Sequence, residues 1–213
     1  MSKAAVVQFE PRKTPVQARS TASVEAIMQA TIQVLLKDGR SKLTTIRIAE
    51  RAGVSVGTLY QYFPNKNSLL QALLKKHLDS VALAVENACK AAHGESLAGM
   101  AEAITSAFVR AKFHNIDASV ALYAVSDGIE GKRIARGMHA RITKAMTSMF
   151  ETARERPVME PGGVATVLLS AMAGVSRSML ELGVARGTMA TMEKELTVMV
   201  RAYLEASAAT GKR

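Results

Sequence analysis

Between Thr45 and Lys66 the chain gathers side chains suited to hydrogen bonding and ion pairing rather than to making bonds. Thr45, Ser55, Thr58, Tyr60 and Tyr62 carry hydroxyls, Gln61 carries an amide that donates and accepts, and Arg47 and Lys66 carry positive charge. Such a set suits phosphate oxygens and the donor and acceptor edges of bases. Val56 and Gly57 stand among them, and glycine leaves room for an approaching surface. No nucleophile elbow and no phosphate-cradling glycine loop accompanies the group.

To act together these residues need a frame. The run Thr45 to Pro64, TIRIAERAGVSVGTLYQYFP, reads as a short helix, a tight turn and a second short helix. Ile48 and Ala52 are four apart and share a face, and Ala49 is small enough to let the second helix come close. Gly53 sits at the corner, where a residue beyond a helix end often needs positive φ. Ser55 offers a cap to the second helix near Val56 or Gly57, and Leu59 and Phe63 return that helix to the core. This is the helix-turn-helix geometry, whose second helix enters the major groove of DNA. An ordinary helical hairpin in a bundle core has the same spacing. The outward Thr, Tyr and Gln set and the basic surroundings favour the duplex.

The charge is placed accordingly. The whole chain of 213 residues carries +10, and residues 1 to 66 hold ten Lys or Arg against four acids. Charge is thus densest around the proposed reading head, which suits a polyanion. Ala, Leu, Met and Val dominate and favour helix. The single Cys89 excludes an internal disulfide framework and suits a reducing compartment. No signal-peptide run opens the chain and no uninterrupted apolar stretch approaches about 18 residues, so the expectation is a soluble, cytoplasmic protein.

Residues 1 to 20 read as a flexible basic arm, whose Arg12, Lys13 and Arg19 either reach phosphates or have no role. A first helix is expected over 21–38, capped by Thr21 or Ser23, with Val24, Ile27, Thr31, Val34 and Leu35 inward and Gly39 at its end. Arg40 to Leu43 reads as a loop, and Thr44 caps a helix over 45–52. Further helices are expected over 56–62, 66–91, 96–113, 117–126 with Val120 inward, 131–154, 162–182 and 189–207, about nine in all. Helix 162–182 is apolar nearly all round and must be covered on both sides, by its own chain or by a second subunit.

The run LTTIRIAERAGVSVGTLYQYFPNKNSLLQALL, residues 43 to 74, resembles the DNA-binding domain of the TetR family of transcriptional repressors. The likeness rests on T-x-x-x-I-A-x-x-A-G-V-S, on G-T-L-Y-x-Y-F and on the P-N-K junction, and is strong over about residues 20 to 82. It implies an all-α protein with a DNA-binding domain over 21–66, its motif at 45–64, and an effector-binding and dimerisation domain over 67–213. It also implies roles. Thr45, Arg47, Tyr60, Tyr62 and Lys66 would hold backbone phosphates, with partial packing the alternative for Tyr60. Ser55, Val56, Gly57 and Thr58 would lie at the groove end of the second helix, with Thr58 on a base edge or thymine methyl. Gln61 would meet adenine or phosphate. Helices 162–182 and 189–207 would form half of a four-helix homodimer interface, as a palindromic operator calls for.

Catalysis and metal binding are not expected. His77, His93, His114 and His139 form no ligand spacing with Cys89 or an acid pair, Asp127 and Glu130 read as solvated caps, and no cofactor is called for. An apolar or amphipathic small effector is expected from the family. Met100, Phe108, Phe113, Tyr123, Met138, Met149 and Met172 are the candidate contacts, although the same residues describe a normal helical core. The resulting expectation is a dimeric, non-enzymatic repressor released from its operator by a small molecule. The competing readings are a small-molecule-binding helical bundle with an incidental hairpin and a nonspecific architectural DNA binder.

Overall fold

The computed structural model describes residues 18–126, 128–155, 158, 160–183 and 189–209. The Arg12 and Lys13 of the expected arm, the side chains of Arg19 and Tyr123, and Asp127 lie outside what is described. Among the described residues all regular structure is helical: α1 Ala18–Asp38, α2 Thr45–Ala52, α3 Val56–Tyr62, α4 Lys66–Ala91, α5 Leu97–Phe113, α6 Ile116–Ser126, α7 Ile129–Phe150, α8 Pro161–Glu181 and α9 Met189–Ala209. A single 3-10 turn, Arg40–Lys42, stands where the sequence reads as a loop. This is the all-α layout that the periodicity predicts.

Contacts divide the chain into two units, one comprising residues up to His77 with Val120–Lys132, the other Leu78–Ser119 with Arg133–Arg213. In the first, α1 packs on α2 and α2 on α3. Ile27, Val34, Leu43, Ile48, Ala49, Leu59, Phe63 and Leu69 are buried there. Burying each large member of this set contributes about 1.5–3 kcal/mol. In the second, α5 packs on α9 and on α8, and α8 on α9, around Met100, Ile104, Phe108, Met172 and Val200.

Several expectations need correction. Helix α1 begins at Ala18, so Thr21 and Ser23 lie inside it and do not cap it. Helix α7 stops at Phe150, four residues early. Thr152 ends it: its hydroxyl donates to the Met149 carbonyl at 2.7 Å and accepts from the Gly94 amide at 2.9 Å, a local alternative to another helical turn. Val120 is 41% exposed, not inward. Helix α6 is apolar around most of its circumference, so spacing alone does not select its buried face.

Helix α8 is covered on one face only. Val164, Ala165, Leu168, Leu169, Met172, Ser176 and Leu180 are buried, while Val167 is 49% exposed and Val175, at the edge of the buried face, 38%. By length and composition α8 is also apolar enough to cross a membrane, a property it shares with core helices of soluble folds.

Candidate nucleic-acid interface

The frame around the motif is built by short-range capping. Thr44 adopts an extended backbone and its hydroxyl accepts from the Arg47 amide at 3.3 Å, starting α2. Gly53 ends it with φ 67°, ψ 29°, the left-handed conformation that a side chain would strain. The chain turns back there, with the Val54 amide on the Ala49 carbonyl at 3.0 Å and the Gly53 amide on that of Glu50 at 3.2 Å. Ser55 then starts α3 by accepting from the Thr58 amide at 2.9 Å. A cap of this kind stabilises a helix by about 1 kcal/mol.

Helix α3 buries one residue, Leu59, and Phe63 follows it into the core at its end. The remaining positions face outward or are half-buried: Gly57, Tyr60 and Gln61 are exposed, and Val56, Thr58 and Tyr62 are partly so. A Cβ built on Gly57 meets only the Ser55 hydroxyl oxygen, at 3.7 Å, so its missing side chain leaves open space above the helix start.

The structure brings several of the predicted residues together in pairs. The Thr45 and Tyr60 hydroxyls stand 3.3 Å apart in hydrogen-bond contact, linking the start of α2 to the middle of α3. The Ser55 and Thr58 hydroxyls are 2.8 Å apart. Tyr60 is 41% exposed, so its ring is only partly packed.

The two cations have partners that spacing does not reveal. Arg47 pairs with Asp38 at the end of α1, at 3.2 Å with both groups open to solvent. An exposed pair of this kind is worth at most about 1 kcal/mol and yields readily to a competing anion. Lys66 donates to the Leu43 carbonyl at 3.1 Å, tying the start of α4 to the segment before α2. Beside Arg47, Arg51 donates to Gln33 on α1 at 2.6 Å, and both arginines line a hollow of about 480 Å³. Asp38, Gln33 and Arg51 have no signature in the sequence, because their contacts span 9 to 18 residues.

Comparison with known proteins settles the class. Residues 27–73 match the family described as bacterial regulatory proteins, tetR family, and residues 96–204 match the tetracyclin repressor-like C-terminal domain. The chain belongs to the TetR family. Membership makes it, as a class, a helix-turn-helix transcriptional regulator.

The curated relatives align with a minority of the chain. The nucleoid occlusion factor SlmA of Actinobacillus pleuropneumoniae is 39% identical over 59 residues, 25% of this chain and 29% of that one. The transcriptional repressor KstR of Mycolicibacterium smegmatis is 37% identical over 65 residues, 30% and 32% of the two chains. The alignments thus span under a third of the length of these curated relatives. The crystal structure of the fatty acid degradation regulator FadR from Bacillus halodurans is similar in fold, with a TM-score of 0.71 at 13% identity over 89% of this chain and 96% of that one.

In the second part of this TetR-family chain, Met100, Phe108, Met149 and Met172 are fully buried and Phe113 nearly so, while Met138 is half-buried. Neither the hollow beside Arg47 nor a second one of about 490 Å³ between α4 and α7 is lined by any of them. Three polar groups lie in the same interior and escape the hydrophobic pattern. The Thr105 and Ser176 hydroxyls are buried with no hydrogen-bond partner among the described residues. Lys112, on the face of α5 that also carries Thr105 and Phe108, is 9% exposed, and burial lowers its pKa to about 8. The sequence signal that finds Lys112 is its place in the 3-4 spacing of otherwise apolar inward residues.

Proposed function

We propose that this chain is a repressor that binds a palindromic operator as a homodimer, with α3 in the major groove, and is released by a small molecule. The observation that carries the reading is α3 itself. It buries only Leu59 and leaves Gly57, Tyr60 and Gln61 open, beside a cation-rich surface. In this reading Gly57 lets the duplex backbone come close, and Val56 and Thr58 meet base edges with Ser55 at the helix start. The Thr45–Tyr60 hydroxyl pair holds one phosphate. Tyr62, Arg47 and Lys66 hold others, Arg47 leaving Asp38 to do so, and Gln61 meets adenine or phosphate.

The uncovered side of α8 supports the dimer. Val167, Ser170, Gly174 and Val175 form an exposed small and apolar strip, and Val198, Ala202 and Tyr203 of α9 are exposed as well. Two copies joined through these helices would present two heads to successive major grooves. The effector in this scheme is an apolar body with a polar group. Met100, Phe108, Phe113, Tyr123, Met138, Met149 and Met172 would meet the body, and Thr105, Ser176 or Lys112 the polar group. It acts by preferring the form whose heads no longer match the operator. Such a regulator works in the cytoplasm.

Gel-shift titration on the DNA upstream of its own gene, at two salt concentrations and with random competitor, tests the reading. A site-specific complex that survives competitor supports it. Equal affinity for any duplex points to an architectural binder, and no affinity for any duplex removes the reading.

A further inference from the structure

A second concavity lies apart from the head and from the residues assigned to the effector. It is the hollow of about 490 Å³ between the second half of α4 and α7, a size that suits a small ligand. We propose that it binds a small soluble phosphate ester.

Three observations converge on an anion. Lys90 on α4, His93 in the turn just after it and Lys144 on α7 all line the hollow. Among the described residues none of the three has a hydrogen-bond or ion-pair partner. The one acid in the lining, Glu86, is already satisfied: both its oxygens accept from Arg141, at 2.9 and 2.8 Å. Glu86 also attracts Lys90 at longer range, but Lys90, Lys144 and Arg141 bring three positive charges to a lining that holds this one acid.

Arg141 supplies a donor that is fixed in place. It bonds Glu86 through Nε and Nη2 and Asp79 through Nη1, at 2.8 Å. A guanidinium has five N–H groups, so two remain for a ligand. Its side chain is held by two turns of α4, and binding an oxyanion orders little that is not ordered already. The rest of the lining differs in kind. Cys89 is buried and burial pushes its thiol up to about 12, so it stays neutral, and Ala145 and Ser148 complete the uncharged lining. A doubly charged head on a small organic body matches this mixture of cationic and uncharged lining.

The test uses the full-length chain. Phenyl phosphate is titrated by calorimetry, with phenol and inorganic phosphate as separate arms, and the His93 ring signals are followed by NMR, assigned with His93→Gln. The expected result is saturable binding of phenyl phosphate, with His93 shifted before His77, His114 and His139. Phenol should not bind, and inorganic phosphate should bind more weakly. The double variant Lys90→Gln with Lys144→Gln changes exposed side chains only, and should keep its melting temperature while weakening binding about tenfold or more. Anionic vesicles form the last arm, and no binding to them is expected. The proposal is overturned if the double variant binds phenyl phosphate as the parent does. It is equally overturned if nothing saturates below about 10 mM, or if vesicles bind where phenyl phosphate does not.

Discussion

Gly57→Ala separates folding from reading at a single methyl group. Gly57 is the second residue of α3, has no positive φ, and its absent Cβ points where the only neighbour is the Ser55 hydroxyl at 3.7 Å. That distance is ordinary contact, so the added methyl strains nothing in the free protein. Glycine within a helix costs about 0.5–1 kcal/mol relative to alanine, and the variant should gain that amount. For a chain of this length each kcal/mol moves the melting temperature by about 2–4 °C, so a rise of roughly 1–4 °C is expected. DNA binding should move the opposite way. If the duplex backbone closes on Gly57, the methyl takes space the complex needs, and affinity should fall about tenfold or more, which is about 1.4 kcal/mol. Thermal denaturation followed by circular dichroism gives the first number, and fluorescence anisotropy on the selected operator gives the second. A lower melting temperature would refute the open geometry at Gly57. A higher one with unchanged affinity would remove Gly57 from the interface.

Other outcomes follow from the same geometry. Lys66→Ala should weaken binding to all duplexes and reduce the salt slope by about one unit. It should also cost some stability, because the buried Leu43 carbonyl loses its donor; an unchanged slope assigns Lys66 to the loop alone. Thr58→Ala keeps the backbone cap from Ser55 and should change which sequences win in a selection from random duplexes, with little effect on melting. Ser55→Ala should lower stability by about 1 kcal/mol through the lost cap, measured by urea denaturation. Lys112→Met should raise stability at neutral pH. Below about pH 8 the folded chain buries a charged ammonium that the unfolded chain keeps in water, so the penalty is fully present. Between about 8 and 10.5 the folded form is neutral while the unfolded form still holds its proton, so parent stability rises relative to the variant. Parallel curves across that range would sink the assignment.

Local signals were legible and distant ones were not. Thr44, Gly53 and Ser55 declare the ends of α2 and α3 because a cap or a corner acts within three or four residues. The start of α1 was not marked, since Ala18 and Arg19 are good helix formers and continue the helix past Thr21 and Ser23. Arg47 with Asp38 and Lys66 with Leu43 meet through the packing of separate elements, and no spacing rule reaches them. Val120 sits in a helix with apolar residues on more than one side, where a period of 3.6 fits several faces equally. The orphan hydroxyls of Thr105, Thr143 and Ser176 look like those of any helical Thr or Ser until burial is known.

The Ser55 cap has a consequence for how such proteins diversify. The serine hydroxyl grips the backbone amide of Thr58, and the anchors inside are Leu59 and Phe63. The instructions for building the little helix therefore reside in positions other than those that would touch bases. If Val56, Thr58 and Gln61 meet the duplex as proposed, lineages could rewrite them and so be retargeted, while the Leu59 and Phe63 anchors and the cap stay in place.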